Sequence, residues 1–185
     1  MTSKIDLRAD LQKRRQVFVK KRKSSLINLP SQLWSRLSVD LQNFQSIAGY
    51  VSLRGEPDIM SLLSQVAVGK RTGLPFLDES GAVMTFRSWS PGEALEKSSF
   101  GFCQPSPDAA LFIPDAIFVP LVGFDRALNR LGHGKGHYDR ALASLPRAFK
   151  IGIGWSVQEA AAIPADPWDV LLDAVLTERE WIERG

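Results

Sequence analysis

Between Ala116 and Arg140 the chain passes from an apolar run, AIFVPLV, through a turn and a glycine-dense charged loop to a helix entry. The run has the length and composition of a buried strand. A strand apolar on both faces needs helices to cover it, which draws the chain toward an α/β architecture. Within the loop, Arg130, His133, Lys135 and His137 are threaded among Gly132, Gly134 and Gly136. Alternate glycines permit positive φ and let the backbone approach a ligand closely. Cations between them suit a phosphate, which also favours backbone N–H groups at a helix start. The loop reads as a site for an anion or nucleotide.

The remaining segments fit that architecture. Lys4 to about Lys23 reads as a basic helix with Leu7, Leu11, Val17 and Phe18 near one face. A second helical pattern follows Pro30 and carries Leu33, Trp34, Leu37, Leu41 and Phe44. Ser46 to Leu53 reads as a strand, Asp58 to Val68 as a helix, and Leu74 to Leu77 as a strand. Val83, Thr85 and Phe86 offer a short extended piece, and Ala116 to Val122 is the buried strand. Residues 138–145 predict a short helix; Phe149 to Trp155 and Val170 to Leu176 predict strands. Strands alternating with helices predict a mainly parallel sheet flanked by helices, in a single domain over residues 1–185.

Composition narrows the function classes. One cysteine, Cys103, excludes an intrachain disulfide framework and a thiolate-cluster zinc site. No apolar run has the length of a membrane span, and the first residues carry no secretory signal, so a cytoplasmic location is expected. Residues 1–23 hold nine Lys or Arg against Asp6 and Asp10, while the rest of the chain is net −4. The basic end suits a nucleic acid, an anionic membrane, a polyanionic small molecule or plain solvation.

Arg130 and Lys135 are the strongest phosphate candidates: Arg grips two oxygens in a fixed fork, and Lys supplies a mobile point charge. His133 and His137, the two histidines of the sequence, can also donate to phosphate. A zinc pair at that spacing lacks the accompanying Glu motif. Asp125 and Asp139 flank the loop and Asp173 interrupts an apolar run, which makes them candidates for magnesium or for orienting Arg130. Glu56 suits either a strand-end cleft or the start of a helix. Met84, Phe86 and Trp89 suit either a flat heterocycle or the core. Cys103 has no visible activating partner.

The stretch FVPLVGFDRALNRLGHGKGHYDR resembles the strand, FD turn, RLG loop and YDR helix entry of the 5-formyltetrahydrofolate cyclo-ligase family, also called methenyltetrahydrofolate synthetases. Shorter matches surround it in order. They are Lys4 and Arg8 with Arg14 and Arg15; Tyr50 and Glu56; LPFL with Met84 and Phe86; and Gln158, Pro164, Asp169, Asp173, Thr177 and Glu178. The resemblance implies an ATP- and magnesium-dependent ring closure of 5-formyltetrahydrofolate, with or without a polyglutamate tail, by a monomer needing no nucleic acid or membrane. It assigns Lys4, Arg8, Arg130, Gly132, His133, Gly134, Lys135, Gly136 and His137 to ATP. Asp139 and Asp173 go to magnesium, and Glu56 goes to the reacting end of the folate. Met84, Phe86, Trp89 and Tyr138 go to its pterin and benzoyl region. Leu128, Gln104 and His137 depart from the family's usual Gly, acidic residue and Tyr. A noncatalytic folate- or nucleotide-binding relative is the alternative, and an RNA-binding accessory protein a more distant one.

Overall fold

The computed structural model, which describes residues 3–184, begins with the basic helix α1, Lys4–Arg22. The Ser3 side chain caps it by accepting the Asp6 N–H at 3.2 Å. Lys23, in the left-handed region at φ 58°, ends it by donating to the Val19 carbonyl. Lys20, Lys21 and Arg22 in the last turn complement the helix dipole. Helix α2 spans Ser31–Leu41 and stops short of Phe44, which packs separately against the core.

The next elements are β1 (Ser46–Ala48), α3 (Met60–Val66), β2 (Arg71–Leu77), β3 (Met84–Ser88), β4 (Glu96–Lys97), β5 (Cys103–Gln104) and β6 (Ala116–Pro120). They are followed by β7 (Gly123–Phe124), β8 (Arg130–Leu131), α4 (His137–Ala143), β9 (Phe149–Ile153), β10 (Ala174–Leu176) and β11 (Trp181–Glu183). Seven strands form one sheet in the order β11-β10-β9-β6-β1-β2-β3. The five central strands are parallel, and β3 and β11 are antiparallel at the edges. Pairs β4–β5 and β7–β8 form separate two-stranded ribbons.

The expected α/β sheet is present, with shorter elements than the apolar runs suggested. The run from Ser46 to Leu53 leaves the sheet after Ala48: Gly49 lies so close to Leu63 that an added Cβ would stand 2.6 Å from its side chain. Val170 to Asp173 lead into β10 rather than joining it, and the Leu172 N–H donates to the Leu128 carbonyl. Leu121 and Val122 likewise belong to the turn after β6.

One face of the sheet packs Leu37, Leu41, Leu62 and Leu63 from α2 and α3 over Ile47, Phe118 and Ile151. The other packs Ala141 and Leu142 of α4 over Ile117, Val119 and Val175. A third cluster docks α1: Leu11, fully buried, meets Val122, Leu131, Ala160 and Ile163. The backbone there passes so close that a Cβ on Gly123 would stand 2.3 Å from Leu11 Cδ1. This contact fixes α1 over the carboxyl ends of the strands. Among the described residues, no helix is long and apolar enough to cross a membrane.

Candidate active site

Parallel strands β1, β6 and β9 end at one edge of the sheet, the edge beyond which open α/β sheets bind ligands. Three connections gather there. The Trp155 indole, after β9, donates to the Gly55 carbonyl, after β1, at 3.0 Å. Buried Gln158 donates to the Leu121 and Val122 carbonyls, after β6, at 3.0 and 2.9 Å. Asp125, a loop-flanking candidate, turns inward: its carboxylate accepts the Ala127, Asn129 and Ile163 N–H groups. It shapes the turn before β8.

Glu56 is 2% exposed. Its Oε2 accepts the Leu53 N–H at 2.8 Å, and its Oε1 lies 2.9 Å from His133 Nε2. Arg15, reached from the middle of α1, places Nη1 3.7 Å from the same oxygen. Buried Arg15 Nε and Nη1 have no hydrogen-bond partner. A cleft of about 420 Å³ lies against Glu56, bordered by Ser24, Ser52 and Arg54. Burial, reinforced by the Glu56 charge, pushes the Tyr50 and Tyr138 phenols well above their usual range.

The glycine loop receives cations from two directions. Arg8, one turn along α1 from Lys4, donates from Nε to the Gly132 carbonyl at 2.8 Å. Its guanidinium lies beside Gly134, at φ 94°. Arg130, on β8, is buried and donates to Asp139 Oδ1 at 2.6 Å, with its Nε unpartnered. Its guanidinium also lies 5.7 Å from the centre of the Tyr138 ring. Lys135 is exposed at the loop tip. Gly136, at φ 66°, caps α4. Burial lowers the His137 pKa, and Arg140 and Lys135 lower it further. This donor set, with an unpartnered buried Arg130 N–H, fits a polyphosphate.

Lys4 reaches two carboxylates, Asp166 at 2.5 Å and Asp169 at 2.6 Å. Burial opposes its charge, but these bonds prevail and raise its pKa. Burial likewise works to raise the Asp169 pKa, and the Asp166 N–H, Lys4 and Arg130 more than offset it. Asp139 and Asp169 therefore both lie in the field of Arg130. Asp173 does not join them. It precedes β10, accepts the Lys150 N–H at 2.8 Å and sits at the opposite edge of the parallel strands. Asp139 and Asp173, both expected at magnesium, are thus not brought together: Asp173 lies at the start of its strand, away from the edge where Asp139 meets Arg130. Among the described residues no three His, Cys, Asp or Glu form a ready-made metal cluster. Magnesium commonly uses only one or two carboxylates with substrate phosphates, which Asp139 and Asp169 fit.

Met84 and Phe86 pack in the same cluster as Tyr138 and Phe102. Met84 pairs with Leu77 near the site, whereas Trp89 follows Ser88 at the far end of β3. Its indole donates to the Glu93 carbonyl, so Trp89 is not brought to the loop. Sequence reasoning passed over Asp166 and assigned no role to Asp169 or Arg15. Asp169 stood among the motif matches, but only the fold joins it to Lys4.

A family model described as the 5-formyltetrahydrofolate cyclo-ligase family matches residues 1–178. The chain belongs to that enzyme family. It is 31% identical over 140 residues to the 5-formyltetrahydrofolate cyclo-ligase of Escherichia coli strain K12, covering 71% of this chain and 77% of that one. It is 29% identical over 146 residues to that of Haemophilus influenzae, covering 75% and 78%. The solved structure of the Aquifex aeolicus 5,10-methenyltetrahydrofolate synthetase superposes with a TM-score of 0.72 at 27% identity, covering 97% of this chain and 92% of that one. The Mycoplasma pneumoniae synthetase gives 0.71 at 27%, covering 96% and 100%.

Two positions expected to depart from the cyclo-ligase pattern acquire a physical account. Leu128 adopts φ 66°, the conformation glycine takes most readily, while its side chain is fully buried. Gln104 accepts the Leu77 N–H at 3.0 Å and donates to the Leu77 carbonyl at 3.2 Å, a double bond pattern that a carboxylate cannot make.

Proposed function

We propose that this chain catalyses the ATP-dependent conversion of 5-formyltetrahydrofolate to 5,10-methenyltetrahydrofolate, releasing ADP and phosphate. One observation carries the reading: Arg8, Arg130 and the glycine loop converge beside buried Glu56 in a member of the cyclo-ligase family. The formyl oxygen attacks the γ-phosphorus as the bond to ADP breaks. Nitrogen 10 then bonds to the activated one-carbon centre, the carbon–oxygen bond breaks, and phosphate leaves with the oxygen. The chemistry demands alignment and neutralisation of accumulating negative charge.

In this reading Arg8, Arg130 and Lys135 hold the phosphates, with Gly132, Gly134 and Gly136 leaving room for them. His133 and His137 supply further donors at the loop. Glu56, fixed by the Leu53 N–H and adjoining His133, takes the proton that nitrogen 10 loses. Met84, Phe86 and Tyr138 form the apolar wall for the folate. Asp139 and Asp169 would hold magnesium, which would supply positive charge to the phosphates. Lys4 orients Asp169. The enzyme works as a cytoplasmic monomer without nucleic acid or membrane, and residues 1–185 act as one unit.

The test follows methenyltetrahydrofolate formation by absorbance, with ATP, magnesium or protein omitted in turn. Product should require all three and appear with equimolar ADP. Folded protein that gives no product in the complete mixture overturns the proposal.

A further inference from the structure

Of the five tryptophans, Trp89 and Trp155 are buried and Trp34 and Trp181 pack against the core. Trp168 belongs to none of the core clusters and is 70% exposed. It is not on a remote surface. It occupies the turn Asp166–Pro167–Trp168–Asp169, closed by the Asp169 N–H to the Asp166 carbonyl at 3.0 Å. The Asp166 N–H returns a bond to Asp169 Oδ2 at 2.8 Å. Pro167 restricts the turn backbone, so the indole is presented from a defined support.

That turn is pinned to the phosphate side of the molecule. Both of its carboxylates grip Lys4, and Asp169 lies in the field of Arg130. Ile5, the residue after Lys4, is 74% exposed. Two large exposed apolar side chains are thus each next in sequence to a member of one ion pair. A nucleoside triphosphate carries its base a sugar and three phosphates away from the reacting phosphorus. Its base must therefore lie beside the glycine loop rather than within it, and a flat apolar surface is what it stacks on.

We propose that Trp168 is the stacking platform for the base of the bound nucleotide, with Ile5 as its apolar neighbour. The inference rests on the nucleotide reading of the adjoining phosphate site. It gives the Asp166–Lys4–Asp169 cluster a second task, which is to hold the platform against α1.

Calorimetric titration of the full chain with ADP, and separately with inorganic tripolyphosphate, both with magnesium, tests it in the wild type, Trp168→Ala and Trp168→Phe. Loss of the indole should weaken ADP about tenfold, while tripolyphosphate affinity stays within about twofold. Trp168→Phe keeps a ring and should retain most of the ADP affinity. Equal ADP affinity in wild type and Trp168→Ala overturns the inference alone. So does a parallel loss of both ligands, which would mean that Trp168 acts only through the ion pair. A wild type that binds neither ligand overturns the nucleotide reading, and this inference with it.

Discussion

His133 Nε2 stands 2.9 Å from Glu56 Oε1, joining the glycine loop to the connection after β1 across 77 residues of sequence. The carboxylate is buried, and Arg15 approaches the same oxygen. Glu56→Gln keeps the shape but leaves Arg15 without a countercharge. Turnover should fall at least about a hundredfold, the ordinary range for losing a positioned base. Stability should fall by about 2 kcal/mol, below the range for a closely bonded buried pair because Arg15 is 3.7 Å away. Steady-state kinetics and urea denaturation measure the two, and unchanged turnover would remove Glu56 from the chemistry.

Lys135 sits exposed at the loop tip, where removing its charge costs the fold little. Lys135→Ala should raise the KM for ATP about tenfold or more. Folding stability should stay within about 0.5 kcal/mol. A variant with normal kcat/KM at limiting ATP contradicts the assignment.

Asp139 and Asp173 now make opposite predictions. Asp139→Asn should raise the magnesium concentration for half-maximal rate by about tenfold or more, since even a lost outer-shell partner of a metal ligand costs that much. Asp173→Asn should leave that requirement unchanged and weaken the fold by less than about 1 kcal/mol, because the amide oxygen still accepts the Lys150 N–H but without the charge. A magnesium titration that ranks them the other way returns Asp173 to the metal site.

Leu128 sets backbone strain against burial. Leu128→Gly relieves about 1 kcal/mol of left-handed strain. It also empties a fully buried site, a loss of about 3 kcal/mol. The variant should be less stable by about 2 kcal/mol in chemical denaturation. A stabilised variant would mean that strain outweighs packing here.

His137 makes stability depend on pH. Burial first, then Arg140 and Lys135, hold its folded pKa below the ordinary 6.5. The unfolded chain therefore takes up the proton first. The contribution of neutral His137 is complete above pH 6.5 and is lost as pH falls below it toward the folded pKa. His137→Gln should flatten the stability profile in that window, checked by denaturation at successive pH values. An unchanged slope places the acid sensitivity elsewhere.

The α/β class and the glycine loop were legible in the sequence because their signals are local. An apolar run from Ala116, a helix entry at Tyr138 and three alternating glycines occupy one short stretch. Strand ends were less legible, because an apolar run such as Ser46–Leu53 continues past the ladder wherever its later residues pack in a loop. The site's pairings lay outside local reach. Residue types marked Asp139, Asp173 and Trp89 as candidates and the resemblance added Lys4, but direction along a strand decides which edge a side chain reaches. Asp173 and Trp89 fall at the opposite edge, while Asp169, far from Lys4 in sequence, meets it at 2.6 Å. By itself the sequence determined which kinds of groups the chain carries: the cations and glycines of one loop, the carboxylates around it and the aromatics nearby. Only the tertiary structure decided which of them share an edge, because hydrogen-bond ladders and the docking of Leu11 set those distances across the whole chain.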